Sequence, residues 1–227
     1  MKIAELFYSI QGEGMLAGTP AVFIRTSGCN LRCVWCDAAY TSWAPEGQEM
    51  RIGEIVDYVR SHSRGYTVVT GGEPMIQPEV VDLCRELRRA GQHITIETAG
   101  TVFRELECDL MSVSPKLANS VPWERQGERW AQRHNRLRIQ YDVLEKLIQN
   151  YNYQLKFVVC KPGDVEEVRK IVGRLRAERD RVLLMPEGVD AGTLAERGRW
   201  IAEVCKREGF RYCPRLQVEL WGAERGR

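Results

Sequence analysis

The 227-residue chain is 44% hydrophobic and 28% charged, with 33 Lys and Arg against 31 Asp and Glu and a formal net charge of +2. That length suits one compact domain over residues 1–227, and the near balance of charge excludes roles that rest on bulk attraction to nucleic acid or to an anionic membrane. No window holds the roughly 20 apolar residues of a membrane span and MKIAELFYSIQGEG lacks an apolar leader, so the expectation is a cytoplasmic protein acting on a small molecule.

In chain order, the turn-like SIQGEG (residues 9–14) precedes a strand expected over 21–26 (AVFIRT). RTSGCNLRCVWC then places Cys29, Cys33 and Cys36 in C-x3-C-x2-C spacing. A helix over 52–62 leads to a strand over 66–70, which runs into TGGEP, where two glycines allow close backbone approach and a proline ends the strand. A helix over 78–90 and strands over 93–98 and 109–114 come next. Residues 117–138, rich in Arg and Gln, break the rhythm and read as a solvated insertion, or else as a lid or partner surface. Helices over 139–150, 164–178 and 190–208 alternate with strands over 153–160 and 181–186. Six strands separated mostly by helices predict an α/β fold, a parallel sheet curved into an incomplete barrel with its chemistry at the carboxyl ends of the strands.

Side chains of a strand alternate between faces. In HITIET, Ile94 and Ile96 should face the helices and His93, Thr95 and Glu97 the interior. Ser112, Ser114 and Lys156 should point inward too, against Leu155, Phe157 and Val159 outward. Buried groups of this kind need partners or a polar ligand; a purely structural Lys156–Glu97 ion pair is the plainer alternative.

Of the eight cysteines, Cys84, Cys108, Cys160, Cys205 and Cys213 stand alone and read as buried apolar residues rather than as a disulfide framework. The other three lie within eight positions. A structural zinc site closes with four ligands, and no fourth follows in sequence, although folding can bring His62, His93 or His134 near. A 4Fe-4S cluster explains the number three, since three thiolates hold three irons and leave the fourth open to another ligand. An iron-sulfur enzyme and a zinc-stabilised binding protein both remain open on these grounds.

The cysteine spacing together with strand-terminal TGGEP resembles the radical S-adenosylmethionine (SAM) superfamily. The resemblance implies a (β/α)6-type radical SAM barrel, a cluster on Cys29, Cys33 and Cys36, and SAM on the open iron, cleaved by an electron to give a 5′-deoxyadenosyl radical. It assigns Gly71, Gly72 and Glu73 to the methionyl amino group and Trp35 to the adenine. It further gives Ser114, Pro115, Lys116 and the stretch Leu184, Met185, Pro186, Glu187 to SAM. A narrower resemblance runs through SIQGEG, GTPAVFIRTSGCN, CDAAYTSW, VVTGGEP, IETAGT, VSPK, LKFVV and LWGAERG, essentially the whole chain, and is to the 7-carboxy-7-deazaguanine synthases of the queuosine pathway. A small activase of the same superfamily would share the cysteines and GGEP, but SIQGEG does not follow from it.

That narrower resemblance implies ring contraction of 6-carboxy-5,6,7,8-tetrahydropterin with loss of ammonia. Ile10, Gln11, Gly12 and Glu13 would meet the pterin, Arg25 its carboxylate and Thr70 the same ligand, with Glu97 and Lys156 catalytic. Residues 1–20 and 210–227 would serve the pocket or a homodimer, and flavodoxin or ferredoxin would supply electrons; no nucleic acid or membrane partner is expected. Two positions depart from the family pattern. Ala38 stands where a Thr or Ser hydroxyl usually ligates Mg2+, leaving Asp37, Thr41, backbone, water or substrate as substitutes. Gln217 stands where a His is often found, and an amide does not titrate near neutral pH.

Overall fold

A hairpin opens the chain. In the computed structural model, which describes residues 1–124, 128–222 and 224–227, β1 (Lys2–Ile10) runs antiparallel to β2 (Pro20–Thr26). Beyond β2 the sheet is parallel through β4 (Tyr66–Gly71), β5 (His93–Thr98), β6 (Leu110–Val113), β7 (Tyr153–Val159), β8 (Val182–Pro186) and β9 (Arg211–Tyr212). A two-residue β3 (Gln48–Glu49) pairs with the outer edge of β1. The six expected strands are thus the central six of nine. β1 carries no clear strand signal in the sequence, because KIAELFYSI is half-buried with an irregular pattern, the mixed exposure of a strand near a sheet edge.

Helices α2 (Ile52–His62), α3 (Val80–Arg89), α5 (Tyr141–Asn150), α6 (Asp164–Leu175) and α7 (Ala191–Glu208) separate the strands, as their apolar periodicity predicts. α6 stops three residues short of the expected 178 because Arg176 turns left-handed (φ 52°). Ile94, Ile96, Leu155, Phe157 and Val159 are buried in one core with residues of these helices, while Val158, Leu183, Met185 and Cys213 form a smaller cluster on the inner face. The alternation therefore holds. His93 and Thr95 are nonetheless absent from the cleft wall, because the cleft takes only the carboxyl ends of the strands.

The sheet does not close: β3 and β9 are its two edges. Residues 11–14 and 213–217 cover the gap, with Gly14 N donating to Cys213 Sγ (3.1 Å) and Leu216 N to Gly12 O (3.0 Å), at the start of α8 (Leu216–Trp221). Residues 117–138 are more than a solvated insertion. They carry a short 3-10 turn (Ala118–Ser120) and α4 (Glu128–Leu137), whose Ala131 and His134 are buried; residues 125–127 lie outside the described residues. A four-residue α1 (Ala39–Ser42) closes the cysteine segment.

Phe157 is fully buried between sheet and helices. Phe157→Ala should lower unfolding stability by about 3–5 kcal/mol, through lost transfer energy and the cavity left behind. Urea unfolding followed by circular dichroism checks this; a loss under 1 kcal/mol would mean that this core collapses around the gap.

Candidate active site

Cys29, Cys33 and Cys36 sit on the loop after β2, and their side chains wall a cleft at the carboxyl ends of the parallel strands. The loop is held from two directions. On one side Gly28 N donates to Thr41 O (2.8 Å) and Trp43 Nε1 to Cys33 O (3.0 Å). On the other, Arg32 N donates to His134 Nδ1 (3.0 Å) and His134 Nε2 meets Ser120 Oγ (2.9 Å). Ser120 Oγ itself donates to Leu117 O, so the imidazole is the neutral tautomer with its proton on Nε2. Burial takes the His134 pKa down to about 4, which keeps it so.

Burial pushes the Cys29 thiol up to about 12 and raises Cys33 and Cys36 as well. Bare, these thiols stay protonated; a metal bonded to sulfur is what would hold them as thiolates. Among the described residues no group of three or more His, Cys, Asp and Glu is arranged to hold a single ion. The ligand set of a closed zinc site is therefore not assembled. Three thiols on one cleft wall do fit a cluster that takes one thiolate per iron.

The loop after β4 lies main chain to main chain against the cysteine loop. Gly72 N donates to Thr26 O (3.1 Å) and Glu73 N to Gly28 O (2.9 Å). A Cβ on Gly71, whose φ is 131°, would lie 2.2 Å from Thr26 O, and one on Gly72 would lie 2.1 Å from Gly28 O. Only glycine permits this approach. Gly71 and Gly72 face the cleft, but the Glu73 side chain does not: it is fully buried and accepts from Met75 N (3.1 Å), Thr98 Oγ1 (2.8 Å) and Ala99 N (2.8 Å). Its carboxylate ties the β4 loop to the end of β5. Burial raises its pKa in spite of these bonds.

A buried ionic junction forms the opposite wall. Glu13 pairs with Lys156 through one oxygen and accepts from Gln217 Nε2 (2.8 Å) and Arg215 Nε (3.2 Å) through the other. Lys156 also reaches Glu97 (3.3 Å), whose second oxygen accepts from Thr70 Oγ1 (2.7 Å). Burial alone would raise the Glu13 pKa, but the charges of Lys156 and Arg215 outweigh it and take it down to about 2. Burial likewise disfavours the Lys156 cation, yet Glu13 and Glu97 raise its pKa above the ordinary lysine value. The expected Lys156–Glu97 pair is thus one arm of a larger junction. Among the described residues Gln11 Nε2 and Gln217 Oε1 are buried here with no hydrogen-bond partner, a donor and an acceptor left for a ligand.

Of the other expected residues, Ile10, Gly12, Trp35, Ser114, Lys116 and Met185 line the cleft. Trp35 Nε1 donates to Asn119 O (3.1 Å), and Lys116 Nζ to Ser114 Oγ (2.8 Å). Pro115, Leu184, Pro186 and Glu187 lie off the wall; Leu184 points into the outer core and Glu187 pairs with Arg197. The alternation of β8 explains the difference, since it gives one face to Met185 and the other to its neighbours. Arg25 reaches the cleft, held by Glu5 at Nε (2.7 Å) and lying over Phe7 (5.5 Å), which stacks on Phe23 (4.9 Å). This aromatic pair had one available signal, apolar residues at facing positions of the opening hairpin. Arg215 had none in sequence.

The side chains near Ala38 do not fit Mg2+, which demands several hard oxygen ligands. Asp37 pairs with Arg215 (2.5 Å), and Thr41 is buried and donates to Ala38 O (2.8 Å).

Comparison with known proteins agrees with this geometry. Residues 23–121 match the radical SAM superfamily. A 7-carboxy-7-deazaguanine synthase of Halobacterium salinarum is 45% identical, covering 97% of this chain and 90% of its own. One of Rhodopirellula baltica is 43% identical, covering 99% and 88%. The crystal structure of QueE from Escherichia coli shares the fold with a TM-score of 0.67 at 26% identity, over 93% of this chain and 92% of that one. At such identity over nearly full length, the chain belongs to the 7-carboxy-7-deazaguanine synthase family of radical SAM enzymes.

Proposed function

We propose that this chain converts 6-carboxy-5,6,7,8-tetrahydropterin to 7-carboxy-7-deazaguanine and ammonia, as a carbon–nitrogen lyase on a route to queuosine or related 7-deazapurines. The observation that carries the reading is the meeting of the three cysteines and residues 10–13 in one cleft. A 4Fe-4S cluster on Cys29, Cys33 and Cys36, with SAM on its open iron, would supply the adenosyl radical that takes hydrogen from C6 of the substrate.

The chain's own residues then position the reactants and take up a proton. Backbone at Gly71 and Gly72 is offered to the methionyl group, with Ser114 and Lys116 beside it and Trp35 available to the adenine. Gln11 Nε2 and Gln217 Oε1 would take the donor–acceptor edge of the pterin, whose ring would lie near Phe7 and Phe23. Arg25, steadied by Glu5, keeps its Nη groups for the substrate carboxylate. With its pKa raised, Lys156 is a standing cation and hydrogen-bond donor, while Glu97 is the acceptor for the proton lost as the new ring forms. Arg215, beside Asp37 and Glu13, sets fixed positive charge near the position where the family pattern has a metal ligand. The electron would come from a flavodoxin or ferredoxin. Exposed Tyr212, Leu220 and Trp221 suit a homodimer contact near residues 210–227.

Anaerobic reconstitution tests the reading. Replacing Cys29, Cys33 or Cys36 by Ala should abolish both the broad visible absorbance of the cluster and all SAM cleavage. Full activity in any of the three would reject it.

Arg25→Ala should retain SAM cleavage yet lose deazaguanine product, and substrate affinity should weaken by about 2 kcal/mol, roughly thirtyfold. Calorimetry with the pterin is the check, and unchanged affinity would remove Arg25 from the substrate site.

Because Ala38 brings no hydroxyl, Asp37 is paired with Arg215 and Thr41 donates to Ala38 O, product formation should survive chelation of Mg2+ with the cluster intact. Ala38→Thr should then create Mg2+ dependence by returning a hydroxyl. A strict requirement in the native protein, unaltered by that change, would oppose this reading of the site.

A further inference from the structure

We propose that β5 carries protons out of the active site through the interior of the sheet, from Glu97 past Thr95 to His93 and so to solvent at the opposite end of the strand. The proposal deepens the reaction assigned above and rests on it, because Glu97 is there the acceptor of the proton lost as the new ring forms. A base that takes up one proton per turnover must also lose one. With SAM and the pterin in place the cleft side of Glu97 is covered by ligand, and its two oxygens already meet Lys156 (3.3 Å) and Thr70 (2.7 Å). The way out that remains is along the strand.

His93, Thr95 and Glu97 alternate with Ile94 and Ile96, which lie in the outer core, so the three stand in one column on the inner face. Successive members of such a column are roughly 7 Å apart, a gap that one water spans. The layer at Thr95 is otherwise apolar: its register partners on the neighbouring strands are Val68 and Leu110, both buried and neither part of the outer core. Thr95 is 3% exposed there, and its Oγ1 is enclosed with no hydrogen-bond partner among the described residues. A buried hydroxyl left unpaired is costly, and an internal water is what would satisfy it.

His93 completes the column because its imidazole spans the boundary between interior and solvent. Its Nδ1 is enclosed and unpartnered like Thr95 Oγ1, although the residue as a whole is half-buried. Nε2 is not among the enclosed unpartnered atoms and makes no hydrogen bond among the described residues, so that edge of the ring reaches solvent. Tyr66, the register partner of His93 on β4, lies against the ring at 4.9 Å, and Asp109 accepts from Ile94 N (2.7 Å) at the same end of the sheet. One nitrogen inward and one outward is the arrangement of a proton shuttle.

The transfer balances without a further reactant. Protonated Glu97 gives its proton to a water, the Thr95 hydroxyl takes one proton and gives up another, and His93 accepts at Nδ1 and releases at Nε2. The carboxylate is regenerated, solvent gains one proton, and rotation of the imidazole restores the starting tautomer.

The test compares the reconstituted holoenzyme with Thr95→Val, which keeps the shape and loses the hydroxyl, and with His93→Ala. In each, deazaguanine formation at saturating pterin and SAM should fall about tenfold or more, the scale of a lost proton-transfer group, while both KM values hold. SAM cleavage measured without pterin should be unchanged. The solvent isotope effect on turnover should rise, and added imidazole should restore His93→Ala but not Thr95→Val. Thr95→Ser, which keeps the hydroxyl, should turn over normally, and His93→Gln should be as slow as His93→Ala. Unchanged turnover in Thr95→Val or His93→Ala would overturn the proposal. A loss that imidazole leaves in place, or that tracks a lower unfolding temperature, would also overturn it and assign these residues to packing. A crystal structure of the unmodified protein decides independently of the reaction: ordered water is expected at Thr95 Oγ1 and at His93 Nδ1, and a dry interior would rule the route out. If the unmodified holoenzyme makes no deazaguanine from the pterin, the proposed reaction is at fault, and the waters still decide whether the route exists.

Discussion

The junction centred on Glu13 is the constraint on which the site depends. An open sheet leaves one side of its interior without strand partners, and here a cluster of charged side chains fills it beside the backbone bond from Leu216 N to Gly12 O. Glu13 alone joins β7 through Lys156 and the C-terminal segment through Arg215 and Gln217. The buried cations Lys156 and Arg215 are each held between carboxylates, Glu13 with Glu97 and Glu13 with Asp37, which is how such groups are tolerated away from water. Breaking one arm would leave a partner's charge uncompensated, so these residues are interdependent rather than separate contributors.

The meeting of the two loops is the second constraint, and it is made of backbone. β2 and β4 are neighbours in the sheet, so the segments that leave their carboxyl ends must pass each other closely. Gly71 and Gly72 allow the passage, and Glu73 braces it from behind against the end of β5. The motif thus divides its work: main chain faces the ligand side, and the carboxylate holds the shape.

Much of this was legible in the sequence because it follows from periodicity. The central six strands, their helices and the inward face of Glu97, Ser112, Ser114 and Lys156 all come from alternation and amphipathic spacing. Where sequence reasoning fell short, the cause was contact between distant segments. Arg215 lies 202 positions from Glu13, and nothing local marks it as the cation of a buried junction. Residues 117–138 looked polar because α4 exposes its arginines, while the inward His134 clamps the cysteine loop. The GGEP motif by itself does not show that packing separates the Glu73 backbone from its carboxylate, which braces the end of β5.

The long reach of the closing contacts also bears on how the molecule is made. The cysteine loop and the β4 loop meet each other early in synthesis and the clamp from His134 follows 102 residues after Arg32, whereas Gly14 waits 199 residues for Cys213 and Glu13 waits longer for Arg215. Contacts of such separation form late, once the loop between them has been ordered by other structure. A nascent chain therefore has its thiols grouped while the opposite wall of the cleft is still missing. Metal delivery has its widest access in that interval, before the last turn of the chain shuts the gap in the sheet.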